Sequence, residues 1–252
     1  MDFGPLVLFG IVLVRIGLVI AATPVFGGTW APMQVKVGLT MVLSLLLMPL
    51  VPMPPVASGG QLALIVAHEA VIGLALSFGI RALVAAAELG GYLIGFQIGF
   101  SYAGIIDPQS GVRNNVLAVV YGLITLLTIF VANLHHEVIR LMAATYVAVP
   151  VTPSANVDPS MVSTIMKLFG TVFTLGAQFA APVVLVLLLV EVVMGVVTRA
   201  APSLNLMVIG APIRLLVGLF SLSIAVQVVP SLINRTAGWS LELAAQLALA
   251  FK

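Results

Sequence analysis

Ionisable side chains interrupt the apolar runs of this sequence at Arg15, Glu69, Arg81, Glu88, Arg140, Glu191, Arg199 and Arg214. A charge facing lipid is costly, so each of these is expected to face protein or water. Glu191, Gly195 and Arg199 share one helical face at four-residue spacing, and Asn205 follows in the next loop. Two kinds of chemistry fit such a buried polar seam: an ion path, or pairing that holds helices together. The histidines offer less. His68-Glu69 is followed by Ile72 where a zinc-protease helix needs its second His. His135 and His136 are adjacent, hence about 100° apart on a helix, a poor geometry for one metal. The sequence has no Cys, and no phosphate loop, nucleophile elbow or dinucleotide fingerprint is found. It implies no catalytic residue, no metal site and no cofactor.

The strongest turn signal inside the chain is Asp107-Pro108-Gln109-Ser110-Gly111. Asp and Ser bond nearby backbone, Pro fixes φ and Gly permits positive φ. An apolar arm from Gln61 to Ile106 precedes it and another from Val116 follows. Two membrane-grade helices are therefore expected to meet at a short loop carrying one acid, Asp107, and one base, Arg113. Gly91, Gly95 and Gly99 sit four apart on the first arm and predict a face for close helix packing.

These elements belong to a chain of 252 residues, of which 62% are apolar and 7% charged. Soluble domains carry about 25% charged residues, so the composition predicts an all-α integral membrane protein. A net charge of +2 without clustered Lys or Arg excludes a nucleic-acid footprint. Asp2 in place of a basic leader, with Arg15 in the apolar stretch, predicts that the N-terminus stays as a helix.

One domain over residues 1–252 is expected, with linkers near 49–60 and 150–159, where prolines cluster. The predicted helices run from Phe3 to Ala22 and from Pro32 to Met48. The arm from Gln61 to Ile106 comes next, expected as a kinked, nearly continuous helix whose only candidate breaks are Gly79 and Gly90-Gly91. Val116 to Tyr146 follows as one arm, and Ser160 to Arg199 carries Pro182, a kink signal. Met207 to Leu232 and an amphipathic tail from Trp239 to Phe251 complete the chain. The Gln61–Ile106 arm would be about 69 Å long as one helix, against a bilayer core of about 30 Å. An internal echo pairs Ala31-Pro32 and Val37-Gly38-Leu39 with Ala211-Pro212 and Val217-Gly218-Leu219. It predicts two helices that start at Pro and pack closely at Gly.

Several motifs in order carry a family resemblance. They are Arg15-Ile16-Gly17 with Ala22-Thr23-Pro24-Val25-Phe26-Gly27, then Gly95-Phe96-Gln97-Ile98-Gly99 leading into Ile106-Asp107-Pro108-Gln109-Ser110-Gly111. Asn133-Leu134-His135-His136, Arg199-Ala200-Ala201-Pro202-Ser203-Leu204-Asn205 and Gly210-Ala211-Pro212-Ile213-Arg214 follow. The chain resembles the FliR/SctT family of type III secretion export-gate subunits, from about residue 5 to 235. The resemblance implies kinked helical hairpins in a helical gate built with FliP and FliQ, with FlhB and FlhA as further partners. It implies a multi-pass protein of the bacterial inner membrane at the flagellar basal body, with part of the assembly outside the bilayer plane. Unfolded flagellar subunits would pass through the centre. It also implies a channel plug or constriction loop at Ile105, Ile106, Asp107, Pro108, Gln109, Ser110, Gly111 and Arg113. Leu134 departs from the Gly of many relatives. Injectisome counterparts share the Asp-Pro turn, so an injectisome gate is the alternative. A secondary transporter using the buried Arg and Glu, or a scaffold without a pore, are the competing classes.

Overall fold

The computed structural model describes residues 4–28, 30–54, 58–100, 115–152, 159–201 and 206–251. Among them no strand forms, and the helices are α1 Gly4–Ala22, α2 Pro24–Gly27, α3 Met33–Leu47, α4 Gly59–Ile98, α5 Val116–Val131, α6 Leu134–Ala148, α7 Ser160–Ala200, α8 Leu206–Ala225 and α9 Val229–Leu249. Helices α1, α4 and α7, and α3 together with the 3-10 turn Met48–Leu50, are each long and apolar enough to cross a membrane, and the bent pairs α5–α6 and α8–α9 pass together. This is an all-α membrane protein.

Prolines place several ends. Pro24 opens the one-turn α2 at a first-turn position, where its missing N–H leaves nothing unpaired. Pro32 occupies the cap of α3, and Pro49 lies in the short 3-10 turn Met48–Leu50 that closes it.

Two expected arms are broken. Val116 to Tyr146 divides at Asn133, whose φ of 56° bends α5 from α6 by 72°. Asn is among the few residues that tolerate this left-handed region. Met207 to Leu232 divides after Ala225, and α8 and α9 differ by 58°. Here Pro230 stands in the first turn of α9 and cannot supply the N–H that a continuous helix would need. The expected tail from Trp239 is the second half of α9. Conversely, α4 passes Gly79, Gly90 and Gly91 without a break, and α7 continues through Pro182.

The chain forms two compact units, residues 1–83, 129–169 and 236–252, and residues 84–128 and 170–235. The core of the first gathers Ile11, Ile16 and Val19 of α1, Leu43 of α3, Ile65, Ile72 and Leu76 of α4, Val138 and Met142 of α6, and Ala244 and Ala248 of α9. A Cβ on Gly79 would lie 2.7 Å from the Ala244 Cα, and one on Gly73 would lie 2.7 Å from the Arg15 carbonyl oxygen. These glycines are where the helix backbones approach. The second unit buries Ile94 and Ile98 of α4, Tyr121 of α5, Phe179, Val183 and Leu187 of α7 and Leu222 of α8.

The two copies of the internal echo are unlike. Gly218 faces Ile98, whose Cγ1 would be 2.6 Å from an added Cβ, whereas nothing lies within 4 Å of Gly38. Pro212 lies inside α8, not before it.

Candidate functional site

Ile105, Ile106, Asp107, Pro108, Gln109, Ser110, Gly111 and Arg113 lie outside the described residues, as does Asn205. The described helices on either side of residues 101–114 form a well-defined root, all of it in the second unit. Asn115 directly precedes α5. Its side-chain oxygen accepts a bond from the Leu117 N–H at 3.0 Å, filling the cap role that short polar side chains serve at a helix start. Its amide nitrogen donates to the Tyr92 carbonyl of α4 at 3.1 Å. One side chain thereby ties the start of α5 to the last turns of α4.

Small residues make this possible. A Cβ on Gly95 would collide with the Asn115 side-chain amide. A Cβ on Gly91 would collide with the Leu117 carbonyl and lie 2.8 Å from the Ala118 Cα. Gly99, expected on the packing face, has a backbone role. It lies just past the end of α4 with φ 108°, and the N–H groups of Gly99 and Phe100 both reach the Gly95 carbonyl, at 3.1 and 2.9 Å. This is the left-handed glycine cap that ends helices. Here the glycine serves backbone conformation, while Gly91 and Gly95 are positions of close approach.

The polar groups beside this root are arranged otherwise than the four-residue spacing predicts. Glu191 of α7 accepts a bond from the Gln97 amide of α4 at 3.3 Å and lies 3.8 Å from the Arg214 guanidinium of α8. Arg199 is exposed in the last turn of α7. The physical reason is reach: eight residues separate Glu191 from Arg199 by about 12 Å along a helix axis. A shared face is not contact. Within the chain Glu191 and Arg214 are 37% and 39% exposed, so the chain by itself leaves this cluster half-exposed. Gln97 and Asn115 are functional positions that the four-residue spacing does not single out. Asn immediately before an apolar run was an available cap signal; nothing local marks Gln97 as a partner of Glu191.

A second ion cluster sits in the first unit. Arg15 and Glu69 are completely buried and joined by two bonds of 2.6 Å, from Nε to Oε2 and from Nη2 to Oε1. Arg15 also donates to the Val149 carbonyl at 3.3 Å and the Thr145 hydroxyl at 3.4 Å. Its guanidinium carbon lies 4.1 Å from the centre of the Tyr146 ring, and the Tyr146 hydroxyl donates to the Val12 carbonyl at 3.2 Å. Every direction around the guanidinium is occupied by protein, so the pair joins α1, α4 and α6 and offers no ligand an opening. His68 Nε2 lies 2.8 Å from the Phe251 carbonyl. The His135 and His136 rings lie 4.2 Å apart and tilted by 43°, with Phe130 5.2 Å from His135.

Residues 6–238 match the family described as bacterial export proteins, family 1. The chain is similar to the flagellar biosynthetic protein FliR of Bacillus subtilis (strain 168), with 29% identity over 224 residues that cover 88% of this chain and 86% of the relative. It is 30% identical to FliR of Escherichia coli (strain K12) over 208 residues, covering 82% and 79%. With FliR of Pectobacterium carotovorum the identity is 28% over 219 residues, covering 86% and 83%.

Proposed function

The chain belongs to the FliR family of flagellar biosynthetic proteins, the bacterial export proteins of family 1, and from that membership we propose that it is a non-enzymatic subunit of the flagellar type III export gate. In this reading it joins FliP and FliQ to form the channel through which unfolded flagellar subunits are secreted, with FlhB and FlhA as further neighbours. It sits in the bacterial inner membrane at the basal body, part of the assembly lying outside the bilayer plane. The same reading takes residues 1–252 as one domain, and it is supported by α4, α5, α7 and α9 each contributing residues to both units.

The observation that carries this reading is α7. Its 41 residues make a helix of about 60 Å, about twice the thickness of a bilayer core. Only 17% of its most apolar 18-residue stretch is buried by the chain itself, and Phe173, Leu185, Leu189 and Val192 are exposed. Lipid can cover about half such a length. Apolar protein neighbours are needed for the remainder, as in a multi-subunit gate.

Ile105 to Arg113 closes the channel in this proposal. Ile105 and Ile106 supply bulk that dewets a narrow opening, and Asp107 and Arg113 stay solvated. The root formed by Gly91, Gly95 and Asn115 holds the two ends. Deleting Gln109 to Arg113 is expected to leave copurification with FliP and FliQ intact while raising membrane conductance in cells that express the complex. Replacing Asp107 alone should raise it much less. A deletion that assembles, exports and does not leak would reduce the segment to a connector. Failure of FliP and FliQ to copurify from native membranes would remove the gate assignment itself.

A further inference from the structure

A groove of about 440 Å³ runs along the first unit, within the range of about 300–1,000 Å³ common for small-molecule sites. We propose that it holds an acyl chain of an anionic phospholipid whose headgroup is met by Arg81. Val71, Leu74 and Phe78 of α4 form its floor, with Ile165 of α7 and Leu247 of α9 in the walls. Positions 71, 74 and 78 follow helical spacing, and the same stripe reaches the groove-lining Arg81 one turn later. From 71 to 81 the floor is about 15 Å long.

The charges decide what fits. Arg81 is exposed and, among the described residues, has no ion pair or hydrogen bond. The described acids of this unit lie elsewhere: Glu69 is bound by Arg15, Glu137 by Arg140, and Glu242 does not line the groove. The Ser77 hydroxyl donates to the Leu74 carbonyl in its own helix and so is not a free donor. Water finds almost nothing to bond along this trough. An apolar helix would cover the trough and leave the guanidinium without a counter-ion. A phosphodiester offers paired oxygens to the guanidinium fork, and its acyl tail matches the trough. A zwitterionic headgroup carries its own cation and gains less from Arg81.

The test uses the chain extracted in mild detergent from its native membrane with the proteins that accompany it. After exposure to equal amounts of dioleoyl phosphatidylglycerol and dioleoyl phosphatidylcholine, native mass spectrometry counts what each complex retains. Preferential retention of phosphatidylglycerol is expected, and Arg81→Gln should lower it about fivefold, the effect of one basic residue near an anionic headgroup, with phosphatidylcholine unchanged. Ala75→Phe, which fills the trough, should reduce both lipids. A photo-crosslinker placed at position 78 should capture lipid. Equal retention of the two lipids by the unaltered chain, retention unaffected by Arg81→Gln, or capture of a partner polypeptide at position 78 would each overturn the proposal.

Discussion

Arg15–Glu69 in the first unit and Arg214–Glu191 in the second are both Arg–Glu pairs drawn from different helices, yet they differ in every property that sets their worth. The first is fully buried, bidentate at 2.6 Å and further satisfied by Thr145, the Val149 carbonyl and the Tyr146 ring. The second is a single approach of 3.8 Å with both side chains more than a third exposed. A buried pair is dangerous to break because each ion depends on the other for its solvation. An exposed pair is dispensable because water replaces either partner. Ion pairs inside apolar sequence therefore do not form one class. The buried pair joins α1, α4 and α6, and the half-exposed one sits beside the root of residues 101–114.

The largest expected effect tests the dry pair. Glu69→Ala or Arg15→Ala alone should cost about 3–5 kcal/mol, seen as loss of folded protein by thermal unfolding in detergent. The double replacement Arg15→Met with Glu69→Leu should recover most of that loss. If the single changes were harmless, the contrast between the pairs would fail at its stronger end. Next comes Gly91→Leu, which drives a side chain into the Leu117 and Ala118 backbone. Overpacking of this kind costs about 1–3 kcal/mol or more, and a lowered midpoint with reduced complex yield is expected. Gly195→Leu on α7, where nothing lies within 4 Å in the chain, is its control and should leave the midpoint of the isolated chain unchanged.

Glu191→Ala sharpens the comparison from the other side. It should shift stability by about 0–1 kcal/mol, since Arg214 and Gln97 regain water. A loss as large as that of Glu69→Ala would mean that Glu191 is buried by partner subunits in the working assembly. The smallest effect belongs to Arg199→Gln, within about 0.5 kcal/mol, as for surface positions generally. Strong destabilisation there would restore the seam between Glu191 and Arg199 that the geometry does not support.

Much of the fold was legible before any coordinates. Low charge and long apolar runs specify membrane-grade helices, and Thr23-Pro24, Pro32 and Pro49 mark ends that the structure also has. Pro230 carries the same signal for the start of α9, masked by the apolar residues that continue around it. Asn133 was harder, since a left-handed Asn becomes a turn only when the packing on both sides demands it.

The sequence by itself determined the class of the molecule, the medium it is built for and most of its helix ends, because composition, proline and glycine act locally. Its ordered motifs also determined the family. Tertiary structure alone decided which charges meet. Arg15 and Glu69 are 54 residues apart, and no helical period links them, whereas Glu191 and Arg199 share a period and do not touch. It likewise separated the glycines. Gly79, Gly91 and Gly95 admit another segment of chain, Gly99 ends a helix, and Gly38 and Gly195 face open space. All six are alike in sequence, because a missing side chain acquires meaning only from what occupies the space it leaves.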